Sequence, residues 1–200
     1  MKTRRALLAA FTAGVALPFV GACSKSGSPS FKATDITGAS FARDFQLVDH
    51  DGTPRMLADF GGKVVVVFFG FTHCPDVCPT ALVKLKAVMD RLGPDAARVQ
   101  VLLVTVDPER DSPQLLKAYT TDFHPSFLGL TGTPEQVEAT VRGFNAIAIR
   151  QPGASADTYT VDHTSAMYVF DARGRVRLYV AGNADADSIA SDLAVLLASG

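Results

Sequence analysis

Two cysteines separated by three residues, Cys74 and Cys78, are the side chains of this 200-residue sequence best suited to chemistry. Thiolates attack disulfides and also bind soft metal ions. If both cysteines lie on one helix face, a separation of four residues puts their Cα atoms about 6 Å apart. That distance suits either a disulfide bond or two thiolates on one metal ion, so the spacing alone leaves both chemistries open.

The neighbouring elements predict where the cysteine pair lies. Residues 64–69 form an unbroken β-branched and aromatic run, which is typical of a strand buried on both faces. From Ala81 onward, apolar residues recur at intervals of three and four, which predicts a helix that ends at Gly93-Pro94. Pro79 suits the first turn of this helix, so the pair occupies the helix entrance, where the dipole lowers thiol pKa. An inert structural pair is disfavoured because a polar, Pro-bounded turn is not a core position.

His163 is the candidate for a third ligand. It precedes a predicted strand at residues 166–170, and if that strand is antiparallel to the cysteine strand, it begins at the edge where the cysteines lie. Two cysteines and one histidine form a donor set suited to soft metals. His73 ranks second, because a ring next to the first cysteine points away if the turn enters a helix. His124 lies in a loop before a proline and is not a candidate, and His50 is predicted to be a solvated turn residue.

The start of the chain has the composition of an export signal. Residues 1–22 contain basic residues, then an apolar run too short for a comfortable membrane span, then small residues before Cys23. Residues 20–23 (VGAC) resemble the lipobox of bacterial lipoproteins, which predicts lipidation of Cys23 and cleavage before it. An ordinary signal peptide is the alternative. The Arg4-Arg5 pair also resembles a twin-arginine signal, so the export route stays open.

Composition predicts a tether followed by one domain. Residues 23–40 are predicted to be the lipidated cysteine and a flexible tether, because Ser, Gly, Lys and Thr dominate after Cys23. Residues 41–200 form one domain of ordinary size. The sequence has 19 basic and 20 acidic residues without a basic cluster, which argues against nucleic-acid binding. In an oxidising compartment the remaining cysteine pair is either a disulfide or kept reduced for a purpose.

The order of the remaining patterns predicts an α/β, thioredoxin-like fold with insertions. The predicted short strands form an N-terminal β-hairpin (around 45–47 and 55–57), a buried strand (99–106), a further strand (127–130), an inserted hairpin before His163 (145–150 and 159–161) and a last hairpin (166–170 and 176–180). The predicted helices begin at Ser112-Pro113 and Thr133-Pro134 and span 185–197. Asp107 should emerge at the same sheet edge as Cys74, where a capping role and a functional role are equally open.

Three separated motifs resemble the Sco/SenC family: GFTHCPDVCPT at 70–80, TVDPERDSP at 105–113 and VDHTSAMYVFD at 161–171. They occur in the family's order, and the resemblance covers about residues 41–198. Members of that family are membrane-tethered copper proteins that help assemble cytochrome c oxidase, and two motif cysteines and a distal histidine bind the metal. The resemblance therefore implies that Cys74, Cys78 and His163 bind copper as Cu(I) or Cu(II).

The same resemblance implies a copper chaperone rather than an enzyme. Its expected partners are cytochrome c oxidase subunit II, whose binuclear copper (CuA) centre it would help to assemble, and another periplasmic copper carrier. The expected location is the periplasmic side of the bacterial inner membrane, held there by lipidated Cys23. A lipid anchor departs from the family's commoner transmembrane helix.

A thiol-disulfide oxidoreductase acting on exported cysteines, including those of subunit II, is the main alternative function. It is favoured by an accessible thiol pair at a helix entrance. It is disfavoured by the three-residue spacer, where thioredoxins have two residues, and by the lack of a proline before the strand after His163. A thiol peroxidase would share the fold without a reason for His163. A zinc site would need hydrolytic machinery that the sequence does not offer.

Overall fold

The computed structural model describes residues 30–153 and 158–200. The predicted export signal and Cys23 lie outside the described residues. The helices are α1 (Val77–Leu92), α2 (Pro113–Phe123), α3 (Pro134–Gly143) and α4 (Ala186–Ala198). The strands are β1 (Thr34–Asp35), β2 (Leu47–Asp49), β3 (Pro54–Arg55), β4 (Val64–Gly70), β5 (Val99–Thr105), β6 (Leu128–Thr131), β7 (Ala148–Gln151), β8 (Thr160–His163), β9 (Met167–Phe170) and β10 (Val176–Val180).

An eight-stranded sheet in the order β1-β10-β9-β4-β5-β6-β2-β3 forms the centre of the domain. Strand β4 lies in the middle and is buried along its whole length, as its run of valines and phenylalanines predicts. It pairs in parallel with β5, which pairs in parallel with β6, while β9 runs antiparallel to β4 on its other side.

Helices cover both faces of this sheet. On one face, Phe144 after α3 packs its ring against Phe69, Tyr168 and Phe170. On the other face lies α1, because a Cβ built on Gly70, which points opposite to Phe69, would meet the sulfur of Cys78. Helix α1 also packs along α4. This arrangement confirms the predicted thioredoxin-like α/β fold.

The strand directions bring separate parts of the sequence to one edge of the sheet. Parallel strands β4 and β5 both end there, so the cysteine loop and residues 107–111 leave from the same edge. Strand β9 is antiparallel to β4, and its first residue, Met167, pairs with Phe68 near the end of β4. The segment before β9, which carries His163, therefore arrives at this edge, as the sequence predicts.

All three predicted hairpins are present, the last of them as β9 and β10, and one boundary differs. Strands β2 and β3 pair antiparallel, and β7 and β8 form a separate two-stranded sheet. Strand β1 lies within the range predicted to be a flexible tether, where it pairs with β10. The backbone N–H groups of Lys32 and Ala33 donate to the carboxylate of Asp192, each at 2.8 Å. These two bonds satisfy a carboxylate that is only 2% exposed. Across residues 30–153 and 158–200, no helix has the length and hydropathy needed to span a membrane.

Candidate metal centre

Cys78 lies in the first turn of α1, and its sulfur is pressed against the end of β4. The residue is fully buried. A Cβ at Gly70 would lie 2.8 Å from Cys78 Sγ, which is closer than real Cβ contacts, so the absence of a side chain there makes room for the sulfur. Pro79 occupies the first helical turn, as predicted.

Cys74 lies in the loop before α1 rather than on the helix itself, and its side chain is partly exposed. The backbone N–H of Cys78 points at Cys74 Sγ over 3.4 Å. The two residues are thus linked across the helix entrance. Cys74 is the member of the pair that an incoming molecule reaches first.

The prediction that the helix dipole lowers the pKa of both thiols is wrong for Cys78. Burial raises the pKa of the Cys78 thiol far above its ordinary value, because a thiolate loses its hydration in the core. A bound metal ion would reverse the preference, since a coordinated thiol is deprotonated.

His163 is the last residue of β8 and pairs with Ala148 of β7. Its Nδ1 lies 3.2 Å from the carbonyl oxygen of Thr164, which accepts hydrogen bonds only, so Nδ1 carries the proton and Nε2 offers a lone pair. The rings of Phe68 and Phe71 meet the imidazole edge-on, with centroids 6.1 and 5.8 Å away. Burial lowers the pKa of His163, which favours the neutral, metal-binding form.

The lone pair of His163 points at the cysteine pair. Its Nε2 lies 3.4 Å from Cys78 Sγ and 4.0 Å from Cys74 Sγ, and the three ligand atoms all lie within 4.8 Å of one another. A metal ion bonded to nitrogen at about 2.0 Å and to sulfur at about 2.3 Å, with a nitrogen–metal–sulfur angle of roughly 110–120°, would hold the nitrogen and the sulfur about 3.5–3.7 Å apart. The observed distances fit one shared metal ion.

The other histidines of the described residues lie outside this group. His73, the second-ranked candidate, is half exposed and places Nδ1 3.0 Å from Thr72 Oγ1 and 3.8 Å from Asp111. His124 Nδ1 accepts from the backbone of Ser126, so its exclusion agrees with the structure. The prediction for His50 is wrong, because it is 9% exposed and its Nδ1 accepts from the backbone N–H of Gly129.

Asp111 is a site residue that the sequence analysis missed. Its buried carboxylate accepts from the hydroxyls of Thr72 and Thr105, each at 2.6 Å, and from the backbone N–H of Thr72. It therefore joins the loop after β5 to the loop that leads into Cys74. The sequence signal was the acidic loop TVDPERD, but spacing alone does not distinguish a buried carboxylate from a solvated one.

Asp107 leaves the sheet at the predicted edge but does not face the sulfurs. It is 4% exposed and accepts a 2.6 Å hydrogen bond from the hydroxyl of Tyr159. Its role is therefore to bind the hairpin that carries His163.

Comparison with known proteins identifies the family. The sequence model described as SCO1/SenC matches residues 33–198. The chain belongs to the SCO1/SenC family. Among its relatives, mouse "Protein SCO2 homolog, mitochondrial" is 41% identical over 152 residues, which are 75% of this chain. The match covers 60% of the mouse protein, so this SCO1/SenC chain aligns with rather more than half of that relative.

Solved structures of SCO1/SenC relatives have the same fold. Bradyrhizobium japonicum ScoI with copper bound is 36% identical, with a TM-score of 0.71 over 78% of this chain and 98% of the other. Apo Sco1 from Thermus thermophilus is 41% identical, with a TM-score of 0.75 over 84% of this chain and 98% of the other.

Proposed function

We propose that this protein binds one copper ion through Cys74, Cys78 and His163. The observation that carries the proposal is the convergence of two sulfurs and one imidazole nitrogen within 4.8 Å at one edge of the sheet. Thiolate ligands select soft ions such as Cu(I), and imidazole also suits Cu(II). ScoI from Bradyrhizobium japonicum, which has been solved with copper bound, supports the choice of metal.

The copper is cargo that the protein passes on. A copper ion with three protein ligands can still accept a donor atom from another molecule. The ion can therefore be transferred by replacing one protein ligand at a time. Cys74 and His163 are partly exposed, while Cys78 is buried. An incoming donor would therefore replace Cys74 or His163 first, and Cys78 would release the ion last.

The recipient is the binuclear CuA centre of cytochrome c oxidase subunit II. The chain belongs to the SCO1/SenC family, and the resemblance of its three motifs to that family's copper proteins supports an oxidase copper centre as the destination. Another periplasmic copper carrier supplies the ion. Before the metal arrives, the same thiol pair would reduce a disulfide of subunit II by exchange and would itself be left as a Cys74–Cys78 disulfide.

The protein acts on the periplasmic side of the inner membrane, held by a lipid on Cys23. The lipobox-like residues 20–23 support this placement. In the described part of the chain, which starts at residue 30, the backbone N–H of Lys32 donates to Asp192 and ties this segment to the domain. Nine residues of chain reach at most about 30 Å, so the domain would stay close to the bilayer.

A thiol-disulfide oxidoreductase is the second candidate function. It is favoured by the contrast between a partly exposed Cys74 and a buried Cys78, which suits an attacking thiol and a resolving thiol. Burial raises the pKa of Cys78, which makes it a poor attacking group. The imidazole of His163 facing both sulfurs has no necessary part in disulfide exchange, and this favours the metal-binding proposal.

Copper titration of the full-length protein in its two redox states tests the proposal. The reduced protein should bind one equivalent of Cu(I), whereas the oxidised protein should bind none, because a disulfide offers no thiolate. Adding reductant to the oxidised sample should restore binding. Equal copper uptake by both forms would place the metal elsewhere and contradict the proposal. In cells, loss of the protein should lower cytochrome c oxidase activity most strongly when copper is scarce.

A further inference from the structure

In the described part of the hairpin that carries His163, which excludes residues 154–157, no strand pairs with the main sheet. Strands β7 and β8 there pair with each other, and Thr164 at their base bonds back to Ile147 of the same hairpin. A cavity of about 220 Å³ lies between this hairpin and α3, lined in part by Val141 and Val161. No sheet ladder therefore fixes this side of the hairpin, and beyond the burial of Tyr159 and Val161 in the core its position depends on specific side-chain contacts.

Arg110, in the loop after β5, makes several of these contacts. Its Nη1 donates to the carbonyl oxygen of Tyr159 at 3.0 Å, and its guanidinium carbon lies 3.6 Å from the Tyr159 ring centroid. The Tyr159 hydroxyl donates to Asp107, which also accepts from Arg110 Nε. Tyr159 directly precedes β8. Arg110, Tyr159 and Asp107 thus attach the far end of the hairpin to the domain.

The same guanidinium also contacts the cysteine side of the site. Its carbon lies 5.8 Å from the ring centroid of Phe71, a residue that is 1% exposed and lies between β4 and Cys74. The Phe71 ring in turn meets the His163 ring edge-on at 5.8 Å. We call Arg110, Asp107, Tyr159 and Phe71 the arginine bridge. It joins the segment that holds the first sulfur to the hairpin that holds the imidazole.

One atom of Arg110 indicates that this position is strongly constrained. Its Nη2 is buried and has no hydrogen-bond partner, and the side chain as a whole is 20% exposed. A buried donor without a partner destabilises the folded state, so the remaining contacts of Arg110 must outweigh that cost. Contacts with two ring faces and a buried carboxylate account for this, because a desolvated guanidinium interacts favourably with both.

We propose that Arg110 is a positioning residue for His163, which holds the imidazole against the cysteine pair through the arginine bridge. This inference rests on the proposed metal-binding role of Cys74, Cys78 and His163. Without the bridge, β8 would be free to turn about its base and Phe71 would lose its contact with Arg110, so the orientation of the His163 ring and the distance of Nε2 from the sulfurs would no longer be fixed. The cysteine pair, placed by β4 and α1, would keep its geometry.

The test uses full-length protein, reduced and kept anaerobic, with Co(II) as a probe that does not oxidise thiols. Arg110→Gln should lower Co(II) affinity about tenfold, within the range for groups that orient a metal ligand. The paramagnetically shifted Nδ1–H signal of coordinated imidazole should weaken or disappear. The sulfur-to-cobalt absorption should remain. Arg110→Lys, which keeps the charge but loses the planar group, should give an intermediate affinity.

A double-mutant comparison separates positioning from general destabilisation. If Arg110 acts through His163, Arg110→Gln should cause no further loss of affinity in a His163→Ala background. Arg150→Gln is the matched control, because Arg150 stacks on the same Tyr159 ring at 3.4 Å but is half exposed and bonds to Glu109 instead of Asp107. It should leave affinity and the imidazole signal within about twofold of wild type.

Hydrogen exchange of the metal-free protein gives an independent readout. Arg110→Gln should speed exchange of β8 amides about tenfold while leaving β4 amides unchanged, since local opening affects only the loosened element. Tyr159→Phe, which removes only the hydroxyl bonded to Asp107, should speed β8 exchange to a smaller degree and serves if Arg110→Gln does not fold.

The outcomes separate this inference from the proposed function. Equal loss of affinity with and without His163, or an unchanged imidazole signal and unchanged β8 exchange in Arg110→Gln, would overturn the positioning role alone. Wild-type protein that binds Co(II) without sulfur-to-cobalt absorption would instead overturn the proposed metal site.

Discussion

Cys78 Sγ and His163 Nε2 lie 3.4 Å apart, although 85 residues separate them in the sequence. Two local features create this contact. The pairing of Phe68 with Met167 brings the segment before β9 to the end of β4, and the missing side chain at Gly70 lets the sulfur lie against that strand. The contact therefore depends on both a strand register and a single glycine.

Gly70→Ala should displace the Cys78 sulfur and lower the stability of the fold. The new Cβ would lie 2.8 Å from Cys78 Sγ and 3.0 Å from side-chain atoms of Leu103 and Phe68. Because these neighbours are buried, we expect overpacking to lower the free energy of unfolding by about 1–3 kcal/mol and to displace the sulfur. Denaturant unfolding and a Cu(I) competition titration measure the two effects.

Gly143→Ala is the control for this change. Gly143 ends α3, and apart from its chain neighbours and the backbone of its own helix, no atom lies within 4 Å of the position that its Cβ would take. Since alanine favours helix more than glycine does, stability should be unchanged or increased by up to about 1 kcal/mol. If Gly70→Ala matches this control in stability and copper affinity, the close approach of the sulfur has no functional importance.

The central fold and the three converging residues were predictable because they depend on strong local patterns. The valine and phenylalanine run gave β4, the apolar spacing gave α1, and the strand after His163 showed which edge that residue reaches. Each of these patterns can be recognised from a few neighbouring residues. The antiparallel pairing of β9 with β4 then brings the two cysteines and His163 together.

The properties that the sequence analysis missed depend on burial by distant residues. His50 lies in a turn by sequence, yet α2 and β6 enclose it, so its ring is buried. The raised pKa of Cys78 has the same origin, since the core around α1 takes its thiol out of water. Strand β1 was missed because a polar segment gave no local strand signal before its pairing with β10.

Asp171 should make the fold sensitive to acid. Burial alone would raise the pKa of Asp171, but hydrogen bonds from the side chain and backbone of Arg175 and from the backbone of Arg173 lower it below its ordinary value. The ionised carboxylate therefore stabilises the folded state at any pH above about 3.9, the pKa of an aspartate in the unfolded chain. This stabilisation is lost as the pH falls through the lower pKa of the folded state.

The matching variant is Asp171→Asn. It should cost about 1–3 kcal/mol of unfolding free energy at pH 7 and progressively less below pH ~4, measured by urea unfolding across pH. Asp95→Asn, at a carboxylate that is 62% exposed and paired only with Arg98, should change stability by less than about 0.5 kcal/mol. A pH-independent cost for Asp171→Asn would show that its charge is not what stabilises the fold.

Cys23→Ser should release the protein from the membrane. If Cys23 carries two acyl chains, they supply the anchoring energy, and serine cannot be acylated in the same way. Cell fractionation followed by detection of the protein measures the change, with His73→Ala as a control that should remain in the membrane fraction. A Cys23→Ser protein that stays firmly in the membrane fraction would assign anchoring to residues 1–22 instead.

His163→Ala should separate the metal-binding function from disulfide exchange. Exchange needs an attacking thiolate, a leaving thiolate and access, and the imidazole is required for none of them. With two cysteines left, Cu(I) still has a near-linear site, whereas Cu(II), which prefers nitrogen and oxygen donors in tetragonal geometry, should lose at least about tenfold in affinity. The variant should remain folded and its cysteine pair reducible, because His163 belongs to the hairpin and not to the main sheet.

Cytochrome c oxidase activity at low copper, measured beside reduction of a model disulfide, decides between the functions. If His163→Ala supports normal oxidase while Cys74→Ala does not, the copper-carrier proposal fails and the oxidoreductase takes its place.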